Sequence, residues 1–324
     1  MSESADLSII IVNWRSVDFL RKCLTSIRAH GHGVTFETIV VDNASFDGSA
    51  EMVAREFPET RFIQSYKNLG FGKANNLGFS RSKGRNLLFL NPDTEILGTA
   101  IPVMLSTLES VPGAGAVGCK LLNDDGSIQM SCIQAFPSIL NFVLDADYLR
   151  AAFPHFSVWG TGPLLDGSSG PALVEVISGA CLMIRRDLFE ELGGFSTAYF
   201  MYSEDTDLCY RVRRAGWTAY YTGQAEVIHH GGKSSSSAAQ TQFASVVMLE
   251  SILRFMRLFH GKAYAWAFKA TAALVAGFRL LMLGVARLAT AGQEESRAVS
   301  AAWSKWAKIF RWALGLEAWV KQLD

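Results

Sequence analysis

The sequence predicts an α/β protein: a mostly parallel sheet with helices on both faces, followed by a C-terminal helical appendage. Three observations carry this. Short apolar runs rich in β-branched residues alternate with helix-period segments from residue 7 to about residue 112, the pattern of a parallel sheet built from strand–helix–strand units. Those runs are nearly uncharged rather than alternating, as befits strands covered on both sides. Beyond the serine run Ser234–Ser237 the composition changes to long apolar stretches at helical spacing.

The chain has 324 residues, enough for one large α/β domain and an appendage. The expected division is 1–235 and 236–324. With 30 basic and 30 acidic residues the net charge is zero, so no global field recruits nucleic acid. Five cysteines (23, 119, 132, 181 and 209) lack any C-x-x-C spacing, which suits small core residues in a reducing compartment. The opening Met1–Leu7 is short and acidic and does not read as a signal peptide, so the α/β part is expected to face the cytoplasm.

Leu7–Trp14 reads as a first buried strand ending in polar residues. Helical spacing follows in Phe19, Leu20, Cys23, Leu24 and Ile27. A second strand, Glu37–Val41, runs into Asp42–Ser49, a polar loop that also caps the next helix. A third strand near Arg61–Ile63 leads to Asn68–Gly78, where Gly70 and Gly72 permit a close backbone approach to a phosphate or sugar at a helix N-terminus. The third glycine of a dinucleotide fingerprint is absent.

The fourth strand, Leu87–Leu90, ends in Asn91-Pro92-Asp93-Thr94. Proline forbids continuation of the strand, so the chain must turn where ligands of open α/β sheets collect. A carboxylate and an amide there suit a hard cation and the diphosphate it neutralises. A simple turn uses the same residue types.

Past residue 112 the alternation fades. Val117–Leu122 reads as a strand, Asp124–Ser127 as a turn, residues 155–172 as a long irregular loop, and Val174–Ile184 as another strand. Glu204, Asp205 and Asp207 open a helix running through Arg213, a pattern that also suits the helix dipole. His229 and His230 then stand beside Gly231 and Gly232, a pairing that can serve metal or phosphate.

Taken in order, strand-Asn-Trp, Val-Asp-Asn-x-Ser-x-Asp-Gly-Ser, Asn-x-Gly-Phe-Gly-x-Ala-Asn-Asn-x-Gly, Leu-Asn-Pro-Asp, Ser-Gly-Ala, Glu-Asp-x-Asp-Leu-x-x-Arg and His-x-Gly-Gly-x-Ser resemble family-2 glycosyltransferases, in particular the rhamnosyltransferase-like branch acting on lipid-linked glycans. The resemblance spans about residues 7–234. It implies a GT-A fold, a nucleotide-diphospho-sugar donor, a divalent cation (Mg2+ or Mn2+), inversion at the anomeric carbon, and a glycan or polyprenyl-linked acceptor. It further implies that Asp42 holds the pyrimidine base, with Asn13 and Asp47 near the nucleoside. Asn68, Gly70 and Asn75 would line the diphosphate and sugar. Asp93 and His229 would bind the metal, with Asn91 standing where many relatives carry a first Asp. Ser178, Gly179 and Ala180 would lie on the acceptor side. Asp205 would be the general base, and Glu204 would shape its surroundings.

The chemistry is coherent in its own right. A sugar diphosphate needs its leaving group neutralised, and an acceptor alcohol needs its proton taken. Rival readings are a metal-dependent nucleotide-sugar hydrolase built on Asp42, Asp47, Asp93, Asp205 and His229, and a non-catalytic sugar-nucleotide binding protein. A nucleotidyltransferase would need a glycine-rich, arginine-bearing loop where this chain has Asn13–Val17.

In the appendage, Tyr264–Leu288 is apolar except for Lys269, Arg279 and Arg287, which fall within roughly an 80° arc of a helix. Trp303, Trp306, Phe310 and Leu314 share a side opposite Lys305, Lys308 and Arg311, an interfacial signature. Attachment to the inner face of the cell membrane is expected. The alternative is a helical bundle packed on the α/β part or on a second copy of the chain.

Overall fold

The computed structural model describes residues 5–144, 147–165, 170–231, 238–289, 293–317 and 319–320. The elements run β1 (Leu7–Asn13), α1 (Val17–His30), β2 (Phe36–Asn43), α2 (Ser49–Glu56), β3 (Arg61–Ser65), α3 (Phe71–Phe79), β4 (Asn86–Leu90), β5 (Thr94–Ile96), α4 (Ala100–Ser110) and β6 (Ala114–Leu122). There follow β7 (Ile133–Gln134), α5 (Ile139–Leu144), α6 (Asp147–Ala152), α7 (Gly162–Leu165), β8 (Pro171–Val174), β9 (Val176–Ile177), β10 (Cys181–Arg185), α8 (Arg186–Glu191), α9 (Glu204–Arg214) and β11 (Thr218–His229). The chain closes with α10 (Ala238–Phe259), α11 (Lys262–Ala289) and α12 (Gln293–Ala313).

Two compact units result. One comprises Met1–Phe136, Arg150–Thr197 and Glu204–Gly231; the other takes Pro137–Leu149, Ala198–Ser203 and Gly232–Asp324. The serine run Ser234–Ser237 and the expected 235/236 boundary lie outside the described residues.

In the first unit the main sheet has the order β3-β2-β1-β4-β10-β6-β11-β5, with β8 paired to β11. The strands from β3 to β4 are all parallel. β1 and β4 are buried along their whole lengths, because helices cover both faces. α1 buries Leu20, Cys23, Leu24 and Ile27 on the core side. α3 passes so close to β1 that a Cβ on Gly78 would stand 2.5 Å from Ile10 Cγ2.

After Pro92 the chain turns into β5, which pairs antiparallel with the end of β11. The run Val174–Ile184 is not one strand. It divides into β8, β9 and β10, leaving Ser178–Ala180 irregular between a two-stranded ribbon (β7-β9) and the main sheet. A single antiparallel bridge, Leu122 to Ile128, closes the Asp124–Ser127 turn.

The second unit has its own core, built from Val246, Leu253, Met256, Phe268, Ala272, Ala276, Ile309 and Trp312. Trp312 Nε1 donates to Glu250 Oε2 at 2.8 Å, and Arg254 Nη1 to the Ala198 carbonyl at 2.7 Å. By length and composition alone, Lys262–Arg287 is long and apolar enough to cross a membrane. The tryptophan side of α12 is not the free interfacial face read from the sequence. Trp306 and Phe310 pack on the core of this unit, and Trp303 lies against Gly284.

Candidate active site

The candidate residues of the first unit stand at the carboxyl ends of strands or in the segments that lead into helices, except Asn75, which lies inside α3. In-register pairing of the three parallel strands sets Asn13, Asp42 and Gln64 in one row. Asn13 Nδ2 donates to Asp42 Oδ1 at 2.8 Å, and Gln64 Nε2 and Ser45 N donate to Asp42 Oδ2 at 2.7 and 2.9 Å. Asp42 is only 1% exposed. Burial pushes its carboxyl up, but the hydrogen bonds from Ser45, Asn13 and Gln64 outweigh that and hold it below the usual carboxylate range. Asp42 is therefore an ionised acceptor fixed in place beneath the surface.

Asp47 ties two helices together. Its Oδ2 accepts from Val17 N at the start of α1, and its Oδ1 accepts from Ser49 N and Oγ at the start of α2. Arg15, Ala44 and Phe46 in the adjoining loops adopt positive φ (51°, 63° and 50°) without being glycine, conformations that concentrate at functional sites. The loops raise Trp14, Phe46 and Tyr66 into solvent, with the rings of Phe46 and Tyr66 6.3 Å apart. Phe46 and Tyr66 occupy no specified motif position, so sequence reasoning missed this pair.

Asn68 organises the loop before α3: its Oδ1 accepts from Asn43 Nδ2 and Gly70 N, both at 2.9 Å. Gly70 has φ 76°, a conformation glycine adopts without strain. Asn75 lies buried within α3, where its Nδ2 donates to the Phe71 carbonyl at 3.1 Å.

The antiparallel pairing of β5 with β11 sets His229 opposite Thr94. It thereby brings His229 Nε2 to 3.4 Å from Asp93 Oδ1 and 3.5 Å from Asn91 Nδ2. Gln129 Nε2 donates to the His229 carbonyl at 2.5 Å, so its Oε1 is the acceptor for His229 Nδ1 at 2.9 Å. That places the ring proton on Nδ1 and turns the Nε2 lone pair toward Asp93. A carboxylate, an imidazole and an amide suit a small divalent cation whose remaining ligands are water and diphosphate oxygens. Among the described residues no three His, Cys, Asp or Glu side chains form a metal-holding group, so the five-residue hydrolase cluster is not assembled. His230, one residue on, is engaged elsewhere: its ring bonds Asp124 and Glu95.

The acid cluster reaches the same region through the break between β9 and β10. Gly179 N donates to Asp205 Oδ2 at 2.9 Å, and Thr206 N donates to Asp205 Oδ1 at 2.7 Å. On the other side of Gly179, the Ala180 carbonyl accepts from Asn91 N at 2.9 Å. Ser178, Gly179 and Ala180 therefore join the Asn91–Asp93 turn to Asp205. The helix dipole at the start of α9 does not govern Asp205: burial raises its carboxyl above the usual range, with the Gly179 and Thr206 hydrogen bonds a partial offset. Glu204 is pushed up to about 8 by burial and by the Asp205 charge, and its buried Oε2 has no hydrogen-bond partner among the described residues. Asp207 has a structural part, bonding Arg211 Nε at 2.5 Å while Arg211 Nη1 holds the carbonyls of Leu192 and Gly194.

The sequence profile described as "Glycosyltransferase like family 2" matches residues 5–247. The chain belongs to glycosyltransferase family 2. It is similar to an N-acetylglucosaminyl-diphospho-decaprenol L-rhamnosyltransferase of Mycobacterium tuberculosis (strain CDC 1551 / Oshkosh), 32% identical over 221 residues that cover 64% of this chain and 70% of the relative. It is 24% identical over 282 residues to the Rhamnosyltransferase WbbL of Escherichia coli (strain K12), covering 84% of this chain and 94% of WbbL. Among solved structures, a mannosyltransferase of Pyrobaculum calidifontis in complex with GDP-Man and Mn2+ superposes with a TM-score of 0.56, at 16% identity over 99% of this chain and 86% of that one. GalNAc-T7 with UDP, GalNAc and Mn2+ superposes with 0.59, at 14% identity over 98% and 57%. The fold of this glycosyltransferase is thus GT-A.

Proposed function

We propose that this glycosyltransferase moves a hexose, with rhamnose the favoured class, from a nucleotide-diphospho-sugar to a hydroxyl of a lipid-linked glycan at the cytoplasmic face of the membrane, with inversion and with a divalent cation. The supporting observation is the three-residue link Ser178–Ala180, which ties the Asn91–Asp93 turn to Asp205 through two hydrogen bonds of 2.9 Å. Donor and acceptor chemistry would then share one rigid junction. The lipid-linked acceptor is inferred from the mycobacterial relative, an N-acetylglucosaminyl-diphospho-decaprenol L-rhamnosyltransferase.

In this reading Asp42, braced by Asn13, Ser45 and Gln64, accepts from the N–H edge of a pyrimidine, while Phe46 and Tyr66 offer ring faces to it. Asn68 and Gly70, just before α3, and Asn75, inside it, line the diphosphate and sugar. Asp93 and His229, with Asn91, hold the cation, which when bound neutralises charge on the departing diphosphate. Asp205 takes the proton of the acceptor hydroxyl as its oxygen bonds to the anomeric carbon and the bond to phosphate breaks. One displacement without a covalent intermediate inverts that carbon. A raised pKa makes Asp205 a stronger base than a solvent-exposed aspartate. Glu204, neutral near pH 7, adds no second negative charge beside it.

A donor panel assayed for nucleoside diphosphate release, with and without a polyprenyl-linked glycan, tests this directly. Release that requires the acceptor supports transfer. Equal release without it would point to hydrolysis.

A further inference from the structure

α11 presents two opposite faces. Ala265, Phe268, Ala272 and Ala276 are buried in the core of the second unit. On the other side, Trp266, Leu274, Phe278, Leu281, Met282 and Val285 are each more than half exposed, from 54% at Met282 to 75% at Trp266 and Leu274. The stripe extends along about 28 Å of helix, at about 1.5 Å per residue. Neither Lys269 nor Arg279 of α11 lies on it. The ammonium of Lys269 stands 5.8 Å from the Trp312 ring and the guanidinium of Arg279 stands 5.0 Å from the Trp306 ring, both toward α12. An uncharged apolar stripe of this length on a water-facing helix marks an interaction surface.

Charge decides what covers it. Residues 238–317 contain ten Lys and Arg against four Glu and no Asp, an excess of six positive charges in a chain whose total is zero. Two copies of such a segment repel one another, whereas an anionic lipid surface attracts it by about 1 kcal/mol for each basic residue near the headgroups. A lone spanning helix would need its buried side stripped from α10 and α12. A helix lying in the interface needs only the apolar stripe it already exposes.

We propose that the Trp266–Val285 stripe seats on the headgroup–acyl boundary of an anionic bilayer, with α11 parallel to the membrane plane. The inference rests on the reading of the acceptor as lipid-linked, a substrate that would itself be held in a bilayer.

The test is flotation of the full-length protein with phosphatidylcholine vesicles, with or without phosphatidylglycerol, and no acceptor present. The wild type is expected to float with the anionic vesicles, less so at high salt, and weakly with phosphatidylcholine alone. Leu274→Glu/Phe278→Glu, at exposed positions, should keep its melting temperature and lose flotation at least tenfold. A spin label placed by Leu281→Cys, the five native cysteines being buried, should sit at the same shallow depth as one placed by Trp266→Cys. Depths differing by a large part of the bilayer would show a span and overturn the proposal. So would a wild type that floats with no vesicle, a double variant that floats equally well, or a dimer in solution abolished by the same substitutions. Because no acceptor is present, flotation succeeding while glycan transfer fails would reject only the acceptor reading. Transfer succeeding without flotation would reject only this one.

Discussion

Gly179 donates its backbone N–H to Asp205 Oδ2 at 2.9 Å. A Cβ at Gly179 would lie 3.5 Å from that same oxygen and 3.6 Å from Phe71 Cε1. Glycine thus keeps open the space beside the carboxylate while its N–H fixes the carboxylate's direction. Gly179→Ala fits without a backbone clash, so it should leave the melting temperature nearly unchanged. It should raise the acceptor KM, because the added methyl occupies space an incoming hydroxyl needs. A thermal scan beside acceptor kinetics checks this; an unchanged acceptor KM would remove Gly179 from the acceptor side.

Glu204 carries a pH signature. Its carboxyl is raised from 4.5 to about 8 in the folded protein, so between those values the native state holds a proton the unfolded chain has lost. Stability is fully present below about pH 4.5 and falls as pH rises toward 8, at a total cost on the order of a few kcal/mol. Glu204→Gln removes this dependence. Chemical denaturation at pH 5 and pH 8.5 should show the variant gaining on the wild type at the higher pH. Equal pH slopes for the two proteins would show that Glu204 ionises freely.

The cation reading turns on Asp93 and on Gln129, a residue no motif marks. Asp93→Ala should abolish metal-dependent donor binding. Gln129→Ala, by releasing the His229 tautomer, should weaken Mn2+ affinity by roughly ten- to a hundredfold and leave apo-protein stability little changed. Asn91→Asp should shift the preference between Mg2+ and Mn2+. Titration calorimetry with donor and each metal measures all three. Undiminished metal binding by Asp93→Ala would refute the assignment.

Asp42 has a double role. Asp42→Ala leaves the Asn13, Ser45 and Gln64 donors without their buried acceptor, at a cost of about 1–3 kcal/mol in stability. It should raise the donor dissociation constant more than it lowers the chemical step. Tyr66→Ala, at an exposed ring, should weaken donor binding with no loss of stability. Equal affinity for purine and pyrimidine donors would show that the base is read elsewhere.

What was legible in the sequence is local. The alternation from Leu7 to Leu90 announced the parallel half of the sheet, because buried strands are uncharged and their helices show a period. Asn91–Asp93 and Glu204–Asp205 stood out as polar groups at element boundaries. The rest depends on pairings distant in the chain. His229 meets Asp93 only because β5 turns back along β11. Gln129 reaches His229 across 100 residues. The break at Ser178–Ala180 was hidden because its flanks are as β-prone as a continuous strand. The rise in the Asp205 pKa was missed for a related reason: its place at a helix start was visible, while the burial that outweighs it was not. The inward turn of Trp306 likewise comes from its packing against α11, which helical spacing alone does not specify.

The central claim is that Asp205 is the base, and the Asp205→Asn enzyme tests it most directly. In single turnover with saturating donor and a polyprenyl-linked glycan, asparagine preserves shape and the Gly179 contact but accepts no proton. Transfer should fall by roughly a hundredfold or more, with donor affinity unchanged. The acid limb of the wild-type pH–rate profile, set by a carboxyl titrating above the ordinary aspartate range, should disappear. An Asp205→Asn enzyme that transfers at near wild-type rate with the same acid limb would contradict the account.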